Sequence, residues 1–202
     1  MLVDSSVARS FAVVGWTSHL VTVSGGRVLL AEGVHSASPD EPSELRSIRD
    51  ALIRQAHEAG LGSGLSSRAL AAAQGMDELL GLAESQLTVL TLDAAELKLA
   101  VRLQSRDTTD REWRHSLGAT ARRLDVGEAA SIAIASHRSL AFASDDEDAL
   151  VLWHALTSAP GLRTRDLLHR AAEGGTCNAD DARAVYQILQ TDDLHNLGGP
   201  PW

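Results

Sequence analysis

The chain has 202 residues, a formal charge of −9 at pH 7, 44% hydrophobic and 3% aromatic content and a single cysteine. That length suits one ordinary globular domain, or one with an insertion and a tail, and argues against two full domains. The charge argues against a coat protein drawn non-specifically to a polyanion, and Cys177 alone excludes an internal disulfide and paired-cysteine zinc ligation. No basic leader opens the chain and no apolar run approaches the roughly 18 residues that span a bilayer, so the expectation is a cytoplasmic protein without a membrane partner.

Met1 to Val3 predicts a first strand ending at Asp4, with Ser5 and Ser6 in a strand-to-helix turn. Val7 to Leu20 is apolar with helical tolerance, Gly25-Gly26 marks a turn, and Arg27 to Ala31 predicts a second strand. Pro39 and Pro42 flank an acidic loop that leads into a helix over Ser43 to Glu58, where Leu45, Ile48, Leu52 and Ile53 recur at near-helical spacing. The cluster GLGSGLSS, Gly60 to Ser67, predicts a bend before a helix over Arg68 to Leu82.

Leu87 to Leu92 predicts a strand, and Asp93 with Glu96 forms a capping box opening a helix over Ala94 to Gln104. Asp107 to Glu112 is charged and predicts a loop. Arg102, Arg106, Arg111, Arg114, Arg122 and Arg123 read as a solvated helix face plus a turn. Asp125 opens a helix over Val126 to Ser136 that is apolar on nearly every side, as a helix buried against a sheet requires. Leu140 to Ser144 predicts a short central strand ending at Asp145 and Asp146. Glu147 to Thr157 reads as helix, Gly161 to Arg163 as a last short strand, and Asp166 to Ala172 and Asp180 to Gln190 as further helices; Thr191 to Trp202 reads as a loose tail. Strands alternating with helices in this order define an α/β class: a three-layer α/β/α domain with a mainly parallel central sheet.

Ligands of such sheets bind outside the carboxyl ends of the strands, and there the acids fall. Asp4 and the Asp145-Asp146 pair close predicted strands, and Glu128 stands in the first turn of the helix before the last of these strands. Each acid also has a local explanation: Asp4 as an N-cap, Glu128 as partner of Asp125 in a capping box, Asp145, Asp146 and Asp148 as a charged turn, and Glu44 as a helix-dipole acid that Glu41 or Asp40 replaces equally well. Together they read as an oxygen-only cluster suited to Mg²⁺ or Mn²⁺, because clustered like charges repel until a cation sits among them. The eight histidines show no ligand spacing and read as surface or half-buried side chains. No dinucleotide fingerprint, P-loop or nucleophile elbow occurs, and a receiver-type phosphoacceptor is disfavoured because Lys98 is the only lysine.

Four pieces, V-D-S-S with Asp4 and Ser6, L-D-V-G-E-A-A-S-I-A-I-A with Glu128, L-A-F-A-S-D-D with Asp145 and Asp146, and G-L-R-T-R-D-L-L-H-R-A-A-E-G-G, give a chain that resembles the PIN-domain nucleases over most of Met1 to Gln190. The resemblance implies a PIN-like domain over residues 1–190, with a helical insertion near 50–86 and a flexible tail over 191–202. It implies a pocket for one or two Mg²⁺ or Mn²⁺ ions held by Asp4, Glu128 and Asp146, with Asp145 alternative in register. Glu44-Leu45 matches the second acid, after a loop from His35 to Pro42 longer than the family's usual one. The implied activity is a single-strand-directed endoribonuclease, a toxin of a toxin–antitoxin pair. Asp4, Glu44, Glu128 and Asp146 form its catalytic set and Ser6 steadies Asp4. The implied partners are an RNA substrate, an antitoxin and a second copy of the chain. The alternative expectation is a catalytically inactive PIN-like module that binds a partner protein.

Overall fold

The computed structural model describes residues 1–36, 41–60, 62–119 and 123–191. Pro39, Asp40, Leu61, Arg122, His195 and the predicted tail beyond Thr191 lie outside the described residues. In chain order the elements are β1 (Leu2–Val3), α1 (Ser5–Val13), α2 (Thr17–Val23), β2 (Val28–Ala31), α3 (Glu44–Glu58), α4 (Gly64–Leu80), β3 (Leu87–Leu90), α5 (Ala94–Gln104), α6 (Thr108–Ser116), α7 (Val126–His137), β4 (Phe142–Ala143), α8 (Glu147–Thr157), α9 (Thr164–Glu173) and α10 (Ala179–Thr191).

The strands form one all-parallel sheet in the order β3-β2-β1-β4, with Leu2 beside both Leu29 and Phe142. A parallel bridge from Ala143 to Leu162 extends it past β4; the predicted last strand is this single bridge. The chain steps outward from β1 through β2 to β3, then returns to the other side of β1 for β4. Strand order therefore reverses at β1, and parallel sheets open their ligand crevice at the carboxyl ends beside such a reversal.

Helices cover both faces, giving the three-layer α/β/α architecture. Helix α7 crosses β1, β2 and β4 and packs on α5 and α8, while α1 packs on α2, α4 and α9 in the other layer. Every residue of α7 from Gly127 to Ala135 is buried, and each fully buried Ile, such as Ile132 and Ile134, adds about 1.5–3 kcal/mol. The β2-to-β3 crossover consists of the packed pair α3 and α4. No helix among the described residues is long and apolar enough to cross a membrane.

Several expectations need correction. The apolar run from Val7 to Leu20 is two helices, because Gly15 takes φ +72° and ends α1 in a Schellman turn: Gly15 N–H donates to Ala12 O and Trp16 N–H to Phe11 O. The Gly/Ser bend is shorter than its composition suggests, since Ser63 Oγ accepts from Ser66 N–H and starts α4 at Gly64. The predicted loop over Asp107 to Glu112 is largely helix: Asp107 caps α6 through Thr109 N–H, and a charged face is what a helix leaning outward from the core presents. The arginine run is not one solvated face. Arg114 is buried and donates to Arg102 O and Ser105 O, closing the end of α5, and Arg102 lies 3.8 Å over the Trp113 ring. His35 is buried rather than superficial, and burial together with the Arg46 charge lowers its pKa.

Candidate active site at the carboxyl edge of the sheet

Asp4 directly follows β1, at the point where strand order reverses. It holds the N-cap position of α1 but makes no capping hydrogen bond with its side chain. Its Oδ2 instead accepts from Ser6 Oγ and from Ser144 Oγ, both at 3.1 Å. Each hydroxyl is itself oriented, because Ser6 Oγ accepts from Asp145 N–H and Ser144 Oγ from Asp146 N–H, which leaves their protons for Asp4. Oδ1 is buried and, among the described residues, has no hydrogen-bond partner of good geometry. Burial, then the Glu44 charge, raises the Asp4 pKa to about 7, against the Ser5 amide and the two hydroxyls.

Glu44 opens α3 and is set by the loop after β2, where Glu44 N–H donates to Gly33 O and Leu45 N–H to Val34 O. Its Oε1 accepts from Ser5 Oγ at 2.8 Å. Its Oε2 lies where a side chain on Gly127 would be, 2.5 Å from an ideal Cβ, so glycine in the first turn of α7 is what admits this carboxylate. Burial raises the Glu44 pKa, the Ser5 hydroxyl opposes it, and Asp125 adds to it. Of its two competitors, Glu41 is exposed and accepts from Ser36 Oγ, and Asp40 is outside the described residues.

Glu128 does act as the capping-box partner: its Oε2 accepts from Asp125 N–H at 2.9 Å. It is nonetheless only 8% exposed, and burial first, then the charges of Asp4, Asp146 and Asp125, raise its pKa to about 8 against the Asp125 amide. The acids of β1 and β4 thus reach Glu128 electrostatically.

The two aspartates after β4 diverge. Both oxygens of Asp145 are engaged by Thr164, Oδ1 by its N–H at 2.9 Å and Oδ2 by its hydroxyl at 2.7 Å, with Ser10 Oγ at 3.5 Å. Burial raises the Asp145 pKa, while the Thr164 hydroxyl and amide and the Arg163 charge lower it. Asp145 therefore ties α9 and α1 to the end of β4. Asp146 spends Oδ1 on Ala149 N–H, capping α8, and its charge acts on Glu128.

Asp4, Glu44, Glu128 and Asp146 thus lie along one edge of the sheet, linked electrostatically, and Ser6 donates to Asp4. Sequence reasoning missed Ser144, Ser5 and Thr164. Ser144 had a visible signal, a small hydroxyl residue between a strand and two aspartates; Ser5 and Thr164 show their roles only through residues 39 and 19 positions away. Among the described residues no group of three or more His, Cys, Asp or Glu converges to hold a metal ion as the side chains stand. Glu44, Glu128, Asp145 and Asp146 each direct an oxygen to a donor of the protein itself. What fits a hard cation is the donor set, all oxygen, and the bare, buried Oδ1 of Asp4. A groove of about 700 Å³ between Trp16, α4 and α10 is lined mostly by apolar side chains and contains none of these acids. Comparison with protein-family models, curated proteins and solved structures gave no match.

Proposed function

We propose that this protein hydrolyses phosphodiester bonds of single-stranded RNA with Mg²⁺ or Mn²⁺, in the manner of a PIN-like toxin ribonuclease. The observation that carries the reading is Asp4 Oδ1: a buried carboxylate oxygen with no donor, at the strand-order reversal, within the field of Glu44 and Glu128. An unsatisfied buried polar atom costs about 1–3 kcal/mol, and a bound cation is one means of satisfying a carboxylate oxygen. Asp4, Glu128 and Asp146 would hold the ion, which when bound lowers the pKa of water and offsets charge on the phosphate. Ser6 and Ser144 keep Asp4 from rotating. Glu44, held by Ser5 and unpaired with any cation in the hydrogen bonds of this site, accepts the proton of the attacking water. Asp145, both oxygens engaged, positions the turn that carries Asp146.

The test is twofold. Mn²⁺ at about 100 times its Kd stabilises the wild type by about 2.7 kcal/mol in thermal denaturation, and Asp4→Asn removes both that gain and metal-dependent cleavage of a labelled oligoribonucleotide. Cleavage that survives Asp4→Asn sinks the assignment. A second reading, a non-catalytic module that binds a partner protein, is favoured by the absence of a converged group among the described residues. Under that reading Mn²⁺ leaves the melting temperature unchanged.

A further inference from the structure

An acidic pocket in a chain of charge −9 repels the backbone of any nucleic acid that enters it. A fixed cation at the rim offsets that repulsion beyond what a bound metal ion supplies, and the fold puts Arg163 there. Leu162 bridges to β4, so Arg163 emerges from the same carboxyl edge as Asp4 and Asp146. Its Nη1 donates to Asp145 O at 3.4 Å, one residue from Asp146, and its charge acts on the Asp145 carboxylate. Its Nη2 pairs with Glu147, and the two partners differ sharply: the Arg163 side chain is 15% exposed and that of Glu147 is 73% exposed. The guanidinium is thus held by the protein while its counter-ion lies in water. Glu147 keeps most of its own hydration and gives up little when it leaves the pair, and a backbone phosphate presents two anionic oxygens to the same planar fork.

We infer that Arg163 is a backbone-phosphate contact of the RNA at the rim of the carboxylate pocket, with Glu147 its exchangeable counter-ion that the phosphate displaces. This rests on the reading of the pocket as an RNA-cleaving site. It assigns α8 a second task beyond receiving the Asp146 cap: its first residue, Glu147, screens the rim cation until a polyanion takes its place.

The experiment is a mutant cycle read by fluorescence anisotropy. The probe is a short phosphorothioate-linked single-stranded oligoribonucleotide, which keeps the backbone charge and resists hydrolysis, with Mn²⁺ present. Arg163→Gln weakens binding about tenfold and reduces the slope of log K against log salt by about 0.7, the value for one phosphate contact on a single strand. Glu147→Gln, a change at an exposed position, tightens binding about threefold, and that gain disappears in the Arg163→Gln background. Glu84→Gln, an exposed acid before β3 at the opposite edge, reports the general effect of removing one negative charge. A Glu147→Gln gain that persists without Arg163, or that Glu84→Gln matches, overturns the inference, as does an unchanged salt slope in Arg163→Gln. Cleavage of ordinary RNA without this coupling overturns the Arg163 assignment alone. Coupling without cleavage overturns the hydrolytic reading alone, and no binding at all overturns both.

Discussion

Two glutamates occupy the third position of helices that open with the same D-x-x-E pattern, Glu96 in α5 and Glu128 in α7, and the fold treats them in opposite ways. Glu96 accepts from Asp93 N–H and is gripped by Arg138 at 2.6 and 2.7 Å, so hydrogen bonding and charge from Arg138 outweigh burial and lower its pKa. Glu128 accepts from Asp125 N–H in the same way, but no arginine among the described residues offsets its burial, which raises its pKa first, with the charges of Asp4, Asp146 and Asp125 adding to it. Arg138 caps the far end of α7, so one helix carries both the cation that pairs with Glu96 and an acid that no cation pairs with in the ion pairs of the described residues. A buried acid with its own cation is a structural device; one placed among other acids is disposed to take a cation from solution.

The largest stability effect expected from this contrast is at the satisfied end. Glu96→Gln removes the bidentate pair and costs about 2 kcal/mol in urea denaturation, below the full buried-pair value because Arg138 is 36% exposed. A loss under about 0.5 kcal/mol would mean that the clamp is ornamental.

At the unsatisfied end the sign reverses, and pH separates the two. The folded pKa of Glu128 stands above its unfolded value of 4.5, at about 8, so its contribution is fully present below pH 4.5 and is lost as pH rises towards 8. Glu128→Gln should therefore match the wild type near pH 4.5 and exceed it by more than about 1 kcal/mol near pH 8.5 without metal, measured by thermal melts across the range. The folded pKa of Glu96 is lowered, so its contribution is present above pH 4.5 and fades as pH falls through the folded value. Parallel pH profiles for Glu96→Gln and Glu128→Gln would erase the distinction.

The smallest stability effect belongs to Gly127. An alanine Cβ there meets Glu44 Oε2 at 2.5 Å and a methyl of buried Val34 at 2.9 Å, so an overpacking cost of about 1–3 kcal/mol is offset by the roughly 1 kcal/mol that alanine gains over glycine in a helix, a net loss of about 1 kcal/mol. Displacing Glu44 should nevertheless reduce metal-dependent cleavage about tenfold. Unchanged cleavage in Gly127→Ala would remove Glu44 from the proposed chemistry.

Local motifs were legible wherever a short-range pattern and its tertiary use agree. The D-x-x-E box delimits α5 over the residues expected of it, and the all-round apolar face of α7 announced its burial on the sheet. The register ambiguity of Ser144-Asp145-Asp146 was not legible. Thr164, which engages both oxygens of Asp145, approaches only because Leu162 bridges to Ala143 beside β4. Arg114 was unreadable for a similar reason: its spacing on α6 looks solvated, and its burial depends on the open carbonyls that end α5.

Composition and periodicity by themselves determined the α/β alternation, most helix starts and the acids that close strands, because caps, turns and apolar spacing act within a few residues. Tertiary structure alone decided which donors each acid meets and which acid also meets a cation. Those outcomes depend on groups brought together across the sheet: Ser144 to Asp4 from 140 positions away, Arg138 to Glu96 from 42, and Ser5 to Glu44 from 39. The charge state of a buried carboxyl depends on every group within several ångströms, and sequence distance does not encode that sphere.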